Sequence, residues 1–233
     1  MIKVENIEVW GWEHAIRGMR NPMNSWDKSD TVYGLGEDYY TDMKLGPNDL
    51  SLMQKLFNGG TEHRKYLRQI IVSLDITAPL YWWKEFDTYK VGTVANSCST
   101  MHKIQAKEFT LDDFSCEHLM DGEASLREAN VPFDSYGYSI KDVLGITIAT
   151  LNYAREKFLE TQDKAWWWQM IQLLPSSYNQ KRTVMLNYEV LSNIYQYRRE
   201  HKLDEWQEFC HCIEQLPYSE IITCNVKGED KNA

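Results

Sequence analysis

The sequence predicts an α+β fold with a central sheet and flanking helices. Strand-like alternation of apolar residues appears early in the chain, and helical periodicity dominates from Ser139 onwards. Hydrophobic residues make up 43% and charged residues 25% of the 233 residues, enough for a folded core. No repeat, linker or low-complexity block interrupts the chain. We therefore expect one domain over residues 1–220, followed by a frayed tail over 221–233.

The first half of the chain predicts strands and short helices separated by polar loops. Proline and glycine mark several ends, because proline lacks an N–H group and glycine accepts the left-handed backbone that ends many helices. In chain order we expect a strand over Ile2–Trp10, a helix over Trp12–Arg20, a long functional loop over Met23–Leu45, a helix from Asn48 or Asp49 to Phe57, a strand over Arg68–Thr77, a helix from Leu80 to about Lys90 with Pro79 in its first turn, and a polar loop over Gly92–Thr100.

The second half predicts four helices. Apolar residues recur there with the spacing of one helical face, and Pro175-Ser176-Ser177 ends the second of the four. The expected helices cover Ser139–Leu159, Gln162–Leu174, Tyr188–Glu200 and Leu203–Leu216.

Charge and cysteine content exclude several classes of protein. Lys and Arg total 25 against 34 Asp and Glu, a net charge of −9, which disfavours binding to a long polyanion such as nucleic acid. A small phosphorylated ligand needs only a few basic groups and stays possible. No apolar stretch is long enough for a membrane span, and the N-terminus lacks a signal-peptide pattern, so we expect a cytoplasmic protein. The five cysteines have no regular spacing and predict reduced thiols.

Two conspicuous clusters have ordinary explanations. Cys210, His211 and Cys212 are consecutive on a predicted helix, where side chains point about 100° apart and cannot converge on one ion. Cys116 and His118 lack a second pair, so we predict no metal site. The content of nine Trp and fourteen Tyr, with Trp166–Trp168 consecutive, favours a contact between subunits in a homo-oligomer.

Three polar segments carry candidate chemistry. His63 lies between a helix end and a strand, with Arg64 and Arg68 nearby. The loop after Tyr89 and Lys90 is small and polar, which lets a ligand approach its backbone and hydroxyl groups. On the third segment, helical spacing places Asn187 and Arg198 on nearly one face and Asn193 somewhat off it. Each segment taken alone is more often structural than functional, with the histidine at a strand edge favouring a structural role and the polar loop about evenly balanced.

Taken together, these segments resemble the flavin-dependent thymidylate synthases over nearly the whole chain. The matching order is His63, a strand, Ala78-Pro79, a helix and a Ser/Thr loop, followed by Leu174-Pro175 and the Asn and Arg residues of the third segment. The family's Arg-His-Arg signature is degenerate, since it falls on Thr88, Tyr89 and Lys90. Its two serines fall on Thr93 and Cys98, or, with a shift of one residue, the second falls on Ser99 and an Asn on Asn96.

The resemblance implies a homotetramer that methylates deoxyuridylate (dUMP), with FAD as cofactor and methylenetetrahydrofolate and NADPH as co-substrates. It assigns FAD binding to His63, Lys90, Thr93, Asn187 and Asn193. It assigns substrate binding to Cys98, Ser99 and Arg198, the last two being catalytic. The two arginines of the family's Arg-His-Arg signature are absent from this sequence, which leaves two alternatives to the enzyme open. One is a degenerate relative that binds a nucleotide or a partner protein without turnover, and the other is an interaction protein that binds other chains through aromatic surfaces.

Overall fold

A computed structural model of the protein describes residues 2–34, 43–121 and 138–224. In chain order these residues form β1 (Lys3–Trp10), α1 (Trp12–Arg20), β2 (Val32–Tyr33), β3 (Met43–Lys44), α2 (Pro47–Asn58), β4 (Ile71–Pro79), α3 (Leu80–Phe86), β5 (Val94–Ser97), α4 (Ile140–Thr161), α5 (Lys164–Leu173), β6 (Asn179–Asn187), α6 (Tyr188–Arg198), α7 (Asp204–Glu214) and α8 (Glu220–Thr223), with 3-10 helices over Asn21–Met23, Trp26–Lys28, Thr61–Gln69 and Leu111–Asp113.

The main sheet has four strands in the order β1-β4-β6-β5, and β2 and β3 pair antiparallel as a second, two-stranded sheet. Strand β4 alternates as predicted, with Val72, Leu74 and Ile76 buried on one face. The predicted α+β class, a sheet with flanking helices, is confirmed. None of the described helices is both long and apolar enough to cross a membrane.

The described residues divide into two compact units that interleave along the chain. The first unit comprises Thr77–Phe86 and Ser97–Arg182, and the second comprises Ile2–Ile76, Asp87–Asn96 and the chain from Thr183 onwards. Strands β4, β5 and β6 contribute residues to both units. The boundary of a single domain at residue 220 stays a prediction.

The first unit is organised around helices α4 and α5. Its apolar core includes Phe109, Phe114, Leu151 and Met170. Helix α4 begins with a reciprocal cap: the Ser139 hydroxyl accepts from the Asp142 N–H at 3.1 Å, and the Asp142 carboxylate accepts from the Ser139 N–H at 2.7 Å. The predicted start of this helix at Ser139 is therefore correct to within one residue.

The second unit contains a buried ion pair between its first two helices. The Arg20 Nε of α1 donates to Asp49 Oδ1 of α2 at 2.7 Å, and both side chains are buried. Asp49 Oδ2 also accepts from the Ser29 hydroxyl at 2.8 Å and from the Thr31 hydroxyl at 2.6 Å. These bonds fasten the segment that follows α1 onto the first turn of α2.

Four local predictions need correction. Strand β6 is missed, because its first half is polar and masks the alternation. Strand β5 lies within the predicted polar loop Gly92–Thr100. Helix α3 ends at Phe86 instead of Lys90. Pro79 is the last residue of β4 and does not belong to the helix; because a proline there is at the strand end, the strand lacks only its terminal N–H donor.

The predicted loop and tail are also more ordered than expected. The described part of Met23–Leu45 contains two 3-10 helices and the β2–β3 pair, and residues 35–42 lie outside the described residues. The predicted frayed tail begins at 221, but α8 buries Ile221 and Ile222 completely. Residues 225–233 lie outside the described residues.

Candidate functional site

The first unit contains an open cavity of about 530 Å³ whose lining includes several polar and basic side chains. Two of the predicted substrate-binding residues, Cys98 and Ser99, line it together with Thr100, and both have exposed side chains. Three lysines also line it: Lys103, Lys107 and Lys181. Hydroxyl, thiol and ammonium groups in one cavity are suited to an anionic, oxygen-rich ligand.

The backbone of the cavity wall is fixed by hydrogen bonds. The Cys98 N–H donates to the Lys181 carbonyl at 2.9 Å, and the Gln180 side chain donates to the Cys98 carbonyl at 2.7 Å. The Ser99 hydroxyl oxygen accepts the N–H groups of Met101 at 3.2 Å and His102 at 2.9 Å. Because its oxygen accepts from the backbone, the Ser99 O–H is oriented away from those donors and can donate to a ligand.

The positive charge of the cavity is only partly neutralised. Lys107 pairs with Asp113, and the hydrogen bond that its ammonium group donates to this carboxylate raises the pKa of Lys107 above its ordinary value. Burial alone raises the pKa of Asp113, but hydrogen bonds from Lys107 and Thr110 bring it below its ordinary value. Asp112 is the second carboxylate of the lining. Three ammonium groups against two carboxylates leave a net positive charge on the lining.

Two further features of the cavity were not predicted from the sequence. The buried Oδ1 atom of Asn179, a residue of the lining, has no hydrogen-bond partner among the described residues. An unsatisfied buried acceptor can bind a donor from a ligand. The lysines of the lining were not predicted either. Lys103 and Lys107 are four residues apart and follow the polar loop, and this spacing was the sequence feature that could have indicated a basic site.

A second polar region, in the second unit, involves the loop before β5 and the start of α6. Gly92 has φ 79°, and a Cβ atom added there would lie 2.7 Å from Nδ2 of Asn187. The loop that carries Lys90 and Thr93 therefore lies very close to the start of α6, and this close approach favours glycine at position 92. The buried hydroxyl oxygen of Thr93 has no hydrogen-bond partner among the described residues.

Asn187 has a folding role that the sequence analysis did not predict. Its side-chain oxygen accepts from the Val190 N–H at 3.1 Å, so Asn187 is the N-cap of α6. Asn187 is buried, and its Nδ2 group lies next to Gly92. Asn193 is exposed about 1.7 turns further along the same helix.

Arg198 is held by aromatic side chains at the end of α6. Its Nε donates to the Tyr89 hydroxyl at 3.0 Å, and its guanidinium lies 4.8 Å from the ring centroid of the fully buried Trp206. In the register expected from the sequence, the middle basic residue of the family signature falls on Tyr89, whose phenol oxygen accepts this hydrogen bond from Arg198.

Three other arginines also have partners within the protein. Arg64 is buried, donates to the Phe57 carbonyl at 2.8 Å and lies over the Phe57 ring at 4.2 Å. Arg68 forms a two-pronged ion pair with Glu189, and Arg182 lies 4.2 Å from the centre of the Trp83 ring. These three guanidiniums are therefore engaged in contacts within the protein.

The predicted site residues therefore form two groups. Cys98 and Ser99 belong to the first unit, and the remaining six belong to the second unit: His63, Lys90, Thr93, Asn187, Asn193 and Arg198. Of the second group, Asn187 contacts the loop of Lys90 and Thr93 through Gly92, whereas His63 is exposed on the 3-10 helix Thr61–Gln69. The described residues contain no group of three or more His, Cys, Asp or Glu that could hold a metal ion.

Solved structures with the same fold cover almost the whole chain. The flavin-dependent thymidylate synthase ThyX from Helicobacter pylori, complexed with FAD and dUMP, has a TM-score of 0.62 and 16% identity over 95% of this chain and 97% of that one. Another ThyX structure from Helicobacter pylori with FAD and dUMP has a TM-score of 0.64 and 17% identity over 98% of this chain and 100% of that chain.

A third structure is a UMP/dUMP methylase, PolB from Streptomyces cacaoi, bound with 5-Br dUMP. It has a TM-score of 0.55 and 13% identity over 92% of this chain and 88% of that chain. No family profile and no curated protein sequence matches the chain. At these identities the likeness concerns the fold, and the chain has the fold of the flavin-dependent thymidylate synthases.

Proposed function

We propose that this protein binds dUMP and FAD and methylates the nucleotide reductively, as a flavin-dependent thymidylate synthase-like enzyme. The observation that carries the proposal is the basic cavity of the first unit, which contains both Cys98 and Ser99. Full-length similarity of fold to structures that contain FAD and dUMP supports it. Methylenetetrahydrofolate and NADPH as co-substrates, and a cytoplasmic location, belong to the same proposal.

The cavity residues suit the phosphate and the ring of a pyrimidine nucleotide. Lys103 and Lys181 supply ammonium donors, and Ser99 supplies a hydroxyl donor for phosphate oxygens. The unsatisfied oxygen of Asn179 suits a donor such as the N–H group of a uracil ring. Lysines bind phosphate as point charges without the two-pronged geometry of arginine, so we expect weaker orientation of the nucleotide than arginines would give.

The polar groups of the second unit fit a flavin. The Thr93 hydroxyl lacks a protein partner, and the Asn187 amide and the Lys90 ammonium offer donors for ring oxygens, ring nitrogens or phosphate. FAD, when bound, would supply the hydride transfer that a methylation of this type requires. We assign the binding and orientation of FAD to five residues: Lys90, Thr93, Asn187, Asn193 and His63.

A second candidate is a relative that binds the nucleotide without turnover. The contact of Tyr89 with Arg198 favours it, because it ties up part of the guanidinium that we assign to charge stabilisation on the pyrimidine. The two candidates share the binding step and differ only in catalysis. Binding and turnover must therefore be measured separately.

Calorimetric titration of the purified protein with dUMP, with and without FAD, tests the binding step. We expect dUMP to bind and deoxyuridine, which lacks the phosphate, to bind at least about tenfold more weakly, because the ammonium groups lose their partner. Ser99→Ala should weaken dUMP binding by less than that. Equal affinity for dUMP and deoxyuridine would contradict a phosphate site in this cavity.

Visible absorption of the purified protein after incubation with FAD tests the cofactor. A bound flavin spectrum together with thymidylate formation from dUMP, methylenetetrahydrofolate and NADPH supports the enzyme. Nucleotide binding without thymidylate supports the second candidate. A protein that binds neither FAD nor dUMP would overturn both and leave the interaction protein.

We also propose that the protein is a homotetramer with helix α4 in a subunit contact. Val143, Ile146 and Tyr153 lie at helical spacing on α4 with 46%, 51% and 53% of their surfaces exposed. The double variant Val143→Glu and Ile146→Glu should dissociate the tetramer in light scattering. Lys141→Glu, on another face of the same helix, should not. A parent monomer at micromolar concentration would contradict this part of the proposal.

A further inference from the structure

A separate cavity of about 380 Å³ lies in the second unit, where β1 ends and α1 begins. Its lining is aromatic and acidic: Trp10, Trp12 and Tyr33 provide rings, and Glu8 and Glu13 provide carboxylates. None of these residues has a role in the proposed binding of dUMP or FAD.

The turn that shapes this cavity is fixed. Gly11 has φ 92°, and a Cβ atom added there would lie 2.0 Å from the carbonyl oxygen of Gln69, so only glycine fits. Trp12 is 6% exposed and meets the rings of Tyr188 and Tyr218 edge-on, each at a centroid distance of 5.3 Å. The ring of Trp12 is thus held in place, while Trp10 keeps 38% of its surface exposed.

The charge of the lining is negative. Glu8 precedes Trp10 by two residues in β1 and so shares its face of the strand. Glu13 lies in the first turn of α1, where the helix dipole alone would favour a carboxylate; that reason does not extend to Glu8. His14, another lining residue, forms a hydrogen bond with Arg17 at 3.2 Å. Its Nδ1 atom accepts this bond, because arginine can only donate. Arg17 itself does not line the cavity.

We infer that this cavity binds an organic cation of the quaternary ammonium class. The faces of tryptophan and tyrosine attract cations, and carboxylates nearby add Coulomb attraction. A quaternary ammonium group has no N–H to satisfy, which matches the rings of Trp10, Trp12 and Tyr33 in the lining. An anion would be repelled by Glu8 and Glu13, and a neutral apolar ligand would gain nothing from them.

Calorimetric titration with choline and with dimethylbutanol, its neutral isostere, tests the inference. We expect choline to bind at least about fivefold more tightly than the alcohol, because only the cation gains the attraction of the rings and carboxylates. A peptide that contains trimethyllysine is titrated in parallel, and the tighter ligand identifies whether the cation comes from a small molecule or a modified protein. Absence of binding by both cations, or equal binding of choline and the alcohol, would overturn the inference.

Variants locate the binding. Trp10→Ala should weaken choline binding at least about fivefold, and Trp10→Phe should recover part of the loss because it restores an aromatic face. The pair Glu8→Gln and Glu13→Gln should reduce the preference for choline over its isostere. Trp168→Ala, an exposed tryptophan of α5, is the matched control and should bind choline like the parent. Unchanged affinity in a folded Trp10→Ala protein would also overturn the inference. Unchanged titration with dUMP in these variants separates this site from the proposed function.

Discussion

Arginines of the second unit and lysines of the first-unit cavity carry the same charge but are used in different ways. Arg20, Arg64 and Arg198 each have a fixed partner: a buried carboxylate, a backbone carbonyl and an aromatic pair. Lys103, in contrast, has an exposed side chain at the cavity. These three guanidiniums therefore have internal partners, whereas we propose that ammonium groups of the first-unit cavity contact a ligand.

Side-chain chemistry explains this division. A guanidinium is planar, presents several donors at once and stacks on rings, so it can fill an internal position with little further motion. An ammonium group is a compact, strongly hydrated charge on a flexible stem and costs more to bury. If the division holds, substitutions at the arginine contacts should change stability, and substitutions at the cavity should change ligand affinity.

The largest loss of stability is expected for Asp49→Ala. The variant leaves the guanidinium of Arg20 buried without its carboxylate and removes the acceptor for Ser29 and Thr31, a change that typically costs about 3–5 kcal/mol of unfolding free energy. Urea denaturation measures it. Asp27→Ala, at an exposed position of the same segment, should stay within about 0.5 kcal/mol of the parent. Equal stability of the two variants would contradict a supporting role for the buried pair.

Acid should weaken the same contact by a smaller amount. Burial alone raises the pKa of Asp49, but hydrogen bonds from Thr31, Ser29 and Arg20 hold it below its ordinary value in the folded protein. The unfolded chain therefore takes up the proton first as the pH falls. The stabilisation is complete above about pH 4 and is lost as the pH drops through the lower folded pKa.

Unfolding free energies measured from about pH 7 to about pH 3 test this linkage. The parent should lose stability below about pH 4, and the difference between the parent and Asp49→Asn should shrink, because acid protonates the carboxylate that the variant lacks. A difference that stays constant over this range would show that Asp49 does not titrate with folding.

Arg198→Ala should cause an intermediate loss of stability. It removes the hydrogen bond to Tyr89 and the stacking on Trp206, which together amount to about 1–3 kcal/mol. Arg199→Ala should cost little, because Arg199 is a neighbouring residue with an exposed side chain. Thermal unfolding compares the two. A calorimetric titration of both variants with dUMP then separates a structural role from the predicted contact with the pyrimidine: only Arg198→Ala should lose affinity if that contact exists.

Much of the fold could be predicted because local signals and packing agree. The helix start at Ser139 and the alternation in β4 each follow from residues close together in the chain. Strand β6 could not be predicted in this way. Its first half runs through Lys181, Arg182 and Thr183, and its strand conformation depends on pairing with β4 and β5, which are distant in sequence.

The candidate site was predictable only in part. The polar loop that contains Ser99 predicted one wall of the cavity. The lysines that give the cavity its charge could not be predicted, because in the sequence they are indistinguishable from lysines of an ordinary solvated surface. Asn187 shows the opposite difficulty. An asparagine before a helix is a common N-cap, and the additional approach of Gly92 to its amide arises from tertiary structure alone. Contacts between segments far apart in sequence leave no local signal.

The smallest effects on stability are expected in the cavity, where the effects on ligand affinity should be larger. Lys107 is exposed and its pair with Asp113 should contribute less than about 1 kcal/mol, so Lys107→Met and Lys103→Met should unfold almost like the parent. Their affinities for dUMP should differ. Lys103→Met should lose about tenfold or more, because it removes a charge-assisted donor to the phosphate. Lys107→Met should lose less, since Asp113 already offsets that charge. If calorimetry finds both variants equal to the parent toward dUMP, Lys103 and Lys107 have no part in binding the nucleotide, and the division between the two kinds of cation fails.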